Sequence, residues 1–322
     1  MGLLEVRAAS VVFHAGRASA KTALHDISLS IGGKTPSITA VVGESGSGKS
    51  TLIRLLLGFR NPTLGEVLYD GDNIAGLTRD GARKFRRQVQ AIFQDPFDAF
   101  NPFYKIDHPL VTPLRSFGLA ASRDEAYARI ETTLRSVGLV PENTLGKYPH
   151  QLSGGQRQRI MIARALLLDP TVILADEPVS MVDASLRATI LDILYELRRD
   201  LGISLIYVTH DLTTAYQVAD TIVVLHGGQI MEVGAAEKVV HDPRHAYTRA
   251  LIDAVPSPDP DVAWNLDDDI APPEPFLAGE TKLALYATEP DRAIASVARP
   301  GQAPVTAAEI QRVVSLQKAL AA

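Results

Sequence analysis

The run Gly43, Glu44, Ser45, Gly46, Ser47, Gly48, Lys49, Ser50, Thr51 joins an apolar, β-branched stretch at residues 37–42 to a leucine-rich stretch at residues 50–57. Gly43, Gly46 and Gly48 permit a tight turn whose backbone N–H groups point inward, and a helix starting near Lys49 adds the positive end of its dipole. Such a loop cradles phosphate oxygens, with Lys49 reaching the β- and γ-phosphates of a nucleoside triphosphate and Ser50 ligating Mg²⁺. A flexible Gly/Ser turn is the plainer reading; a strand before and a helix after favour the phosphate loop. A second chemical group stands at residues 171–178, where an apolar strand ends in Asp176 and Glu177 before Pro178. Carboxylates at the carboxyl end of a parallel strand lie where ligands of such sheets bind. Asp176 suits Mg²⁺, held through water, and Glu177 suits the general base that polarises the water attacking the γ-phosphate. Taken alone this is a solvated acidic loop; paired with the phosphate loop it describes an ATPase.

These groups need a sheet to hold them. Residues 3–13 and 23–31 alternate apolar and polar, which predicts an N-terminal antiparallel layer. Strand character resumes at 66–69, with a turn at Asp70 and Gly71; residues 79–87 predict a basic helix and 89–94 a short strand. From 96 to 149 the β-branched runs vanish and Ile130, Leu134 and Val137 repeat at helical spacing within 122–137, the pattern of a helical insertion. Helix and strand then alternate: helix 156–168, strand 171–175, helix 184–201, strand 204–209, helix 212–219. That alternation predicts a mainly parallel sheet covered by helices. Residues 221–225 and 229–233 flank Gly227 and Gly228 as a hairpin. Past Val255, six prolines between 256 and 275 and the acidic run at 267–269 predict a linker or loosely packed extension, and residues 307–320 predict a short amphipathic helix.

Composition narrows the chemistry. A chain of 322 residues holds one large α/β domain with an appendage, or two modest ones. The formal charge of −5 argues against nucleic-acid binding through bulk positive charge. With no cysteine there is no disulfide, thiolate zinc site, cysteine-held iron–sulfur cluster or thiol catalysis. No apolar stretch approaches the roughly 18 to 20 residues needed to span a bilayer, and residues 1–10 carry charges where a signal peptide would be apolar, so a soluble or peripheral protein is expected.

Leu152, Ser153, Gly154, Gly155 and Gln156 open the helix at 156–168, and Ser153 with Gln156 fits a capping box. Two adjacent glycines at a helix start expose backbone N–H groups, which suits close approach of an anion. In order, the segments Gly43 to Thr51, Gln94, Leu152 to Gln156, Leu174 to Glu177, Asp183 and His210 resemble the motifs of an ATP-binding cassette (ABC) ATPase, over residues 3–256. The resemblance implies an α/β fold: a P-loop NTPase core of mainly parallel sheet with helices on both faces, an N-terminal antiparallel β subdomain, a helical insertion at about residues 96–150 and a C-terminal extension. The nucleotide-binding domain would span 1–255 and the extension 256–322. Two cassettes stack head to tail in that family, so Ser153, Gly155 and Gln156 would meet the ATP held by a second chain, and Asp183 would serve communication between the two. His210 would contact the γ-phosphate and position Glu177 and the attacking water, while Gln94 would sense γ-phosphate and Mg²⁺. By the same resemblance Phe13 would stack on adenine; read by itself, it fills the core as a strand phenylalanine commonly does.

The phosphate-loop sequence, Phe93 to Pro96, Asn101 with Pro102, and residues 242–251 resemble the oligopeptide/dipeptide/nickel importer ATPases. Relatives usually read His-Pro-Tyr-Thr where this chain has His245, Ala246, Tyr247 and Thr248, and many carry a cysteine cluster beyond that point which is absent here. The resemblance implies an ATPase that energises uptake of peptides or similar solutes, with oligosaccharides, opines or nickel as other cargoes of the branch. Expected partners are two membrane permease subunits, a second ATPase subunit, identical or paralogous, and an extracytoplasmic solute-binding protein, with no nucleic acid. The expected location is peripheral, on the cytoplasmic face of the inner membrane. An exporter ATPase would tend to lack the motif at 243–251. A soluble ABC ATPase outside transport would carry two cassettes, a coiled coil or a zinc insertion.

Overall fold

A computed structural model describes residues 2–14, 20–255, 284–289 and 292–296. Its first strands, β1 (Leu3–Phe13) and β2 (Lys21–Gly32), pair antiparallel. They alternate less regularly than the sequence predicts. The register breaks between Val6 and Ala9, Ala8 turns to φ 47°, and the hydroxyls of Ser28 and Ser10 accept the N–H groups of Ala8 and Asp26. Bulges of this kind sharpen the local twist. After β3 (Ile38–Val42) and α1 (Lys49–Leu56), β4 (Leu64–Tyr69) and β5 (Asp72–Asn73) complete a sheet in the order β2-β1-β4-β5.

The helix α2 (Arg79–Gln88), capped by Thr78, leads into β6 (Val89–Ile92). Three helices follow: α3 (Asp107–Phe117), α4 (Arg123–Ser136) and α5 (Gly154–Leu166). The chain then alternates through β7 (Val172–Asp176), α6 (Ala184–Arg199), β8 (Ser204–Thr209) and α7 (Leu212–Val218). It continues as β9 (Thr221–His226), β10 (Gln229–Ala235), α8 (Ala236–His241) and α9 (Ala246–Asp253), and closes the described part with β11 (Ala284–Glu289) and β12 (Arg292–Ser296). The second sheet runs β11-β12-β10-β9-β3-β8-β7-β6, and its strands from β9 to β6 are parallel.

Strand periodicity explains how this sheet serves two cores. Ile38, Ala40 and Val42 join one with α5, α6 and α7, whereas Val41 joins the other with α1 and the antiparallel sheet. Every residue of β3 and β8 is buried, which is why both read as mainly apolar runs without strict alternation.

One feature falls within the predicted helical insertion, and another departs from the sequence reading. The helix α3 contains Pro113 and forms although Pro113 removes one internal hydrogen bond, because Leu110 and Leu114 are fully buried in the core. Within the extension predicted as a linker or loose packing, β11 and β12 instead lengthen the main sheet, with Gly234 opposite Arg292 and Glu232 opposite Ile294. The proline-crowded stretch at 256–275 and the helix predicted at 307–320 lie outside the described residues.

Candidate active site

Parallel strands deliver their carboxyl ends to one edge. In sheet order, β3 brings the phosphate loop there, β8 brings His210, β7 brings Asp176 and Glu177, and β6 brings Gln94. The sheet thus places side by side residues separated by more than a hundred positions in the chain.

The phosphate loop turns out of β3 at Gly43, where a Cβ would collide with the Leu225 carbonyl of neighbouring β9. It enters α1 through Gly48 at φ 109°, with no side chain capping the helix start. The first N–H groups of α1 are therefore left to whatever the loop encloses. Ser47 Oγ is buried and, among the described residues, has no hydrogen-bond partner, a second donor that a phosphate oxygen would satisfy. Lys49 is buried, and its Nζ donates to Gly43 O (2.6 Å) and Glu44 O (2.7 Å). Burial holds the Lys49 ammonium below its ordinary pKa, opposed by the negative charges of Glu177, Asp176 and Glu44. Ser45, Gly46 and Ser50 line the exposed mouth of the loop, and Thr51 is half-buried.

Glu177 is gripped from both sides. Gln94 Nε2 donates to Glu177 Oε2 (3.1 Å), and His210 Nδ1 lies 3.2 Å from Glu177 Oε1. The backbone of Glu177 has φ 45°, uncommon for a residue with a side chain, and its N–H donates to Val208 O (2.9 Å). The fold thus holds this carboxylate in one orientation at the strand end. Burial, then the neighbouring Glu177 charge, push the Asp176 carboxyl above its ordinary pKa, and a hydrogen bond with the Ser50 side chain and the charge of Lys49 oppose the shift. A hydroxyl and a carboxylate in contact beside a side-chain amide make a set of hard oxygen donors that suits Mg²⁺.

Other residues singled out from the sequence stand apart. Ser153 caps α5: its Oγ accepts from Gln156 N, and Gln156 Oε1 accepts from Ser153 N, closing the expected capping box. A Cβ on Gly155 would lie 2.5 Å from Leu186 Cδ1, so the second glycine of this pair also serves packing against α6. Asp183 is exposed at the start of α6 and makes no capping bond with its side chain. Phe13 is half-buried, with the Arg60 guanidinium 3.9 Å over one ring face. Among the described residues no hydrogen bond joins Ser153, Gln156, Asp183 or Phe13 to the cluster around Glu177.

Sequence reading missed one neighbour of the loop. Tyr247, in α9, accepts a hydrogen bond from the Glu44 N–H at 3.2 Å. No spacing rule links positions 203 residues apart, and only the family motif at 242–251 drew attention to that stretch.

Comparison with known proteins identifies the family and the fold. The family profile described as "ABC transporter" matches residues 24–180, and that described as "Oligopeptide/dipeptide transporter, C-terminal region" matches residues 231–275. The oligopeptide transport ATP-binding protein OppF of Escherichia coli is 44% identical over 225 residues, covering 70% of this chain and 67% of the relative. A putative peptide import ATP-binding protein of Brucella ovis is 43% identical, covering 70% of both. The glutathione import ATP-binding protein GsiA of Shigella dysenteriae is 44% identical over 69% of this chain and 35% of its own length. Among solved structures, the dimeric post-hydrolysis state of the ATP-binding cassette MJ0796 bound to ADP and Pi superposes with TM-score 0.65 at 30% identity, covering 72% of this chain and 98% of that one. CbiO1 of Clostridium perfringens, part of the ABC transporter complex cbiONQ, gives TM-score 0.64 at 28% identity, covering 74% and 90%.

Proposed function

This chain belongs to the ABC transporter family, as an ATP-hydrolysing subunit of the oligopeptide/dipeptide importer branch, and from that premise we propose which residues do the work and what is moved. The reaction is ATP plus water to ADP plus phosphate. Lys49 exchanges the neutral carbonyls of Gly43 and Glu44 for the β- and γ-phosphates, a stronger interaction in a buried setting. Gly43, Ser45, Gly46, Gly48 and Thr51 supply the rest of the cradle. Ser50, Asp176 and Gln94 would hold Mg²⁺, which neutralises charge on the phosphates. A cation beside Asp176 would also restore the charged carboxylate that burial disfavours.

Glu177 takes the proton of the attacking water, and Gln94 and His210 keep its two oxygens aimed. Ser153, Gly155, Gln156 and Asp183, which stay clear of this chain's own Glu177 cluster, face the ATP of a second cassette. Phe13 stacks on adenine with the ring face that Arg60 leaves open. The second cassette and the membrane permease complete the machine: two permease chains and an extracytoplasmic solute-binding protein, with short peptides as the solute, as the names of the relatives suggest. The chain works at the cytoplasmic face of the membrane as a peripheral subunit; none of its described helices is long and apolar enough to cross.

The observation that carries this reading is the double hold on Glu177 beside the buried Lys49. Glu177→Gln keeps the shape and removes the base. Turnover should fall by about a hundredfold or more, while ATP is still bound and closed dimers accumulate on size-exclusion chromatography. Unchanged turnover would remove Glu177 from the base role.

A further inference from the structure

The phosphate loop is braced from outside the residues that handle ATP. Gly228 N donates to Ser47 O (2.9 Å), which ties the far side of the loop to the turn between β9 and β10. On the near side the Glu44 peptide is held at both ends. Its carbonyl accepts from Lys49 Nζ (2.7 Å) and Ser47 N (3.2 Å), and its N–H donates to Tyr247 Oη (3.2 Å). Once Lys49 turns to phosphate, the carbonyl loses its charged donor. The Ser47 N–H and the tyrosine then remain on the Glu44 peptide, and of these two the tyrosine comes from outside the loop.

Tyr247 is itself placed with care. It is 2% exposed, and its ring centroid packs 4.1 Å from that of His226 at the end of β9. Its N–H donates to His245 Nδ1 (3.1 Å), the cap of α9. His245 N and Arg244 N in turn donate to Glu232 on β10, at 3.0 Å and 3.2 Å. Glu232 is fully buried, and so is the Arg292 side chain from β12, whose Nε lies 3.7 Å from Glu232 Oε1 and whose Nη1 donates to Asp242 Oδ2 at 3.4 Å. A buried carboxylate that fixes the start of α9 is thus neutralised by an arginine delivered from the C-terminal strands.

We infer that Tyr247 is a positioning residue for ATP binding, and that the Arg292 pairing with Glu232 and Asp242 keeps it in place, so that the C-terminal strands help set nucleotide affinity. The role is one of shape: Tyr247 acts on the loop and not on ATP. It rests on ATP binding at the phosphate loop, which a wild-type control tests separately.

The experiment compares full-length wild type, Tyr247→Phe and Arg292→Lys, with binding of ATP titrated by fluorescence and steady-state hydrolysis run in parallel. Loss of one hydrogen bond to the loop should weaken ATP binding about two- to tenfold in Tyr247→Phe. KM should rise with kcat nearly unchanged, because ground-state and transition-state binding are lost alike. Arg292→Lys should shift affinity the same way, and the double variant should be no weaker than the weaker single one, since both act through Glu44. If Arg292→Lys does not fold, Asp242→Asn, which alters a half-exposed partner of Arg292, takes its place. Wild-type ATP affinity in a folded Tyr247→Phe, even with a lowered unfolding midpoint, overturns the positioning role. Wild-type affinity in a folded Arg292→Lys, or in Asp242→Asn where that variant stands in, overturns the part given to the C-terminal strands. Absence of ATP binding by the wild type would instead strike at the ATPase reading itself.

Discussion

A Cβ on Gly155 would meet Leu186 Cδ1 at 2.5 Å and Val182 Cγ1 at 3.7 Å, with nothing harder than the tip of a leucine in the way. Gly155→Ala should therefore cost about 1 kcal/mol, because Leu186 can turn aside, and lower the unfolding midpoint by only about 2–4 °C. If Gly155 also lets a helix start approach the ATP of a second cassette, hydrolysis should fall by more than tenfold. Adding Leu186→Ala should return the stability and leave hydrolysis low; recovery of both would reduce Gly155 to a packing residue. The packing of Gly155 against Leu186 was hidden in the sequence, where the glycine pair suggested only an anion. Lys49, Asp176 and Glu177 were legible because their chemistry is local: a lysine after glycines and a carboxylate pair ending an apolar strand each imply their own surroundings, whereas Gln94 and His210 were drawn to Glu177 only by the family resemblance. The Tyr247 contact with Glu44 was not, since it depends on where α9 lands.

At the scale of elements, α9 carries a titration built into its first residue. His245 caps the helix with Nδ1, and burial, with His226 and Arg249 nearby, pushes its pKa down to about 4 from the ordinary 6.5. Its folded value lies below the unfolded one, so between those values the unfolded chain holds the extra proton. The stabilisation is present in full above pH 6.5 and is lost as pH falls toward 4, at up to about 1.4 kcal/mol per pH unit. Asparagine caps a helix without titrating. Urea midpoints measured from pH 7.5 to 4.5 should therefore fall more steeply for wild type than for His245→Asn; parallel slopes would mean that His245 does not lose its proton on folding. The eight-residue α9, with mixed burial, leaves little periodic signal. The strands β11 and β12 escaped for a related reason: they are short, lie beyond a run of prolines, and one of them buries an arginine that reads as a surface residue until Glu232 and Asp242 are seen beside it. The mainly apolar strands β3, β7 and β8 posed no such difficulty, since burial on both faces left room for few polar residues besides Thr39, Ser204, Thr209 and the terminal Asp176.

Under the proposed function the state of the ATP site must reach a membrane partner, and the surface between α3 and the main sheet is where we propose that partner docks. A groove of about 580 Å³ opens there, lined by Phe100, Tyr104, Pro109, Pro113 and Phe117, with Arg86 and Gln90 at its polar side. The aromatic residues between 97 and 104 divide into buried and exposed. Phe100 is core, whereas Phe103 is 86% exposed and Tyr104 50%. Phe97 lies under the Arg157 guanidinium at 4.1 Å, which links this surface to the helix that Ser153 caps. Exposed aromatics beside a groove act as anchors when a partner helix covers them, each contributing about 2 kcal/mol, or roughly thirtyfold in affinity. Phe103→Ala combined with Tyr104→Ala should leave hydrolysis by the isolated subunit within about twofold of wild type, because neither side chain supports the Glu177 cluster. In proteoliposomes holding the assembled transporter, the same variant should lose more than tenfold of its permease-stimulated hydrolysis and solute uptake, and pull-down of the permease should weaken in step. A parallel loss in the isolated subunit would show that these aromatics hold the helical part together, and a variant that couples normally would place the permease contact elsewhere on the surface.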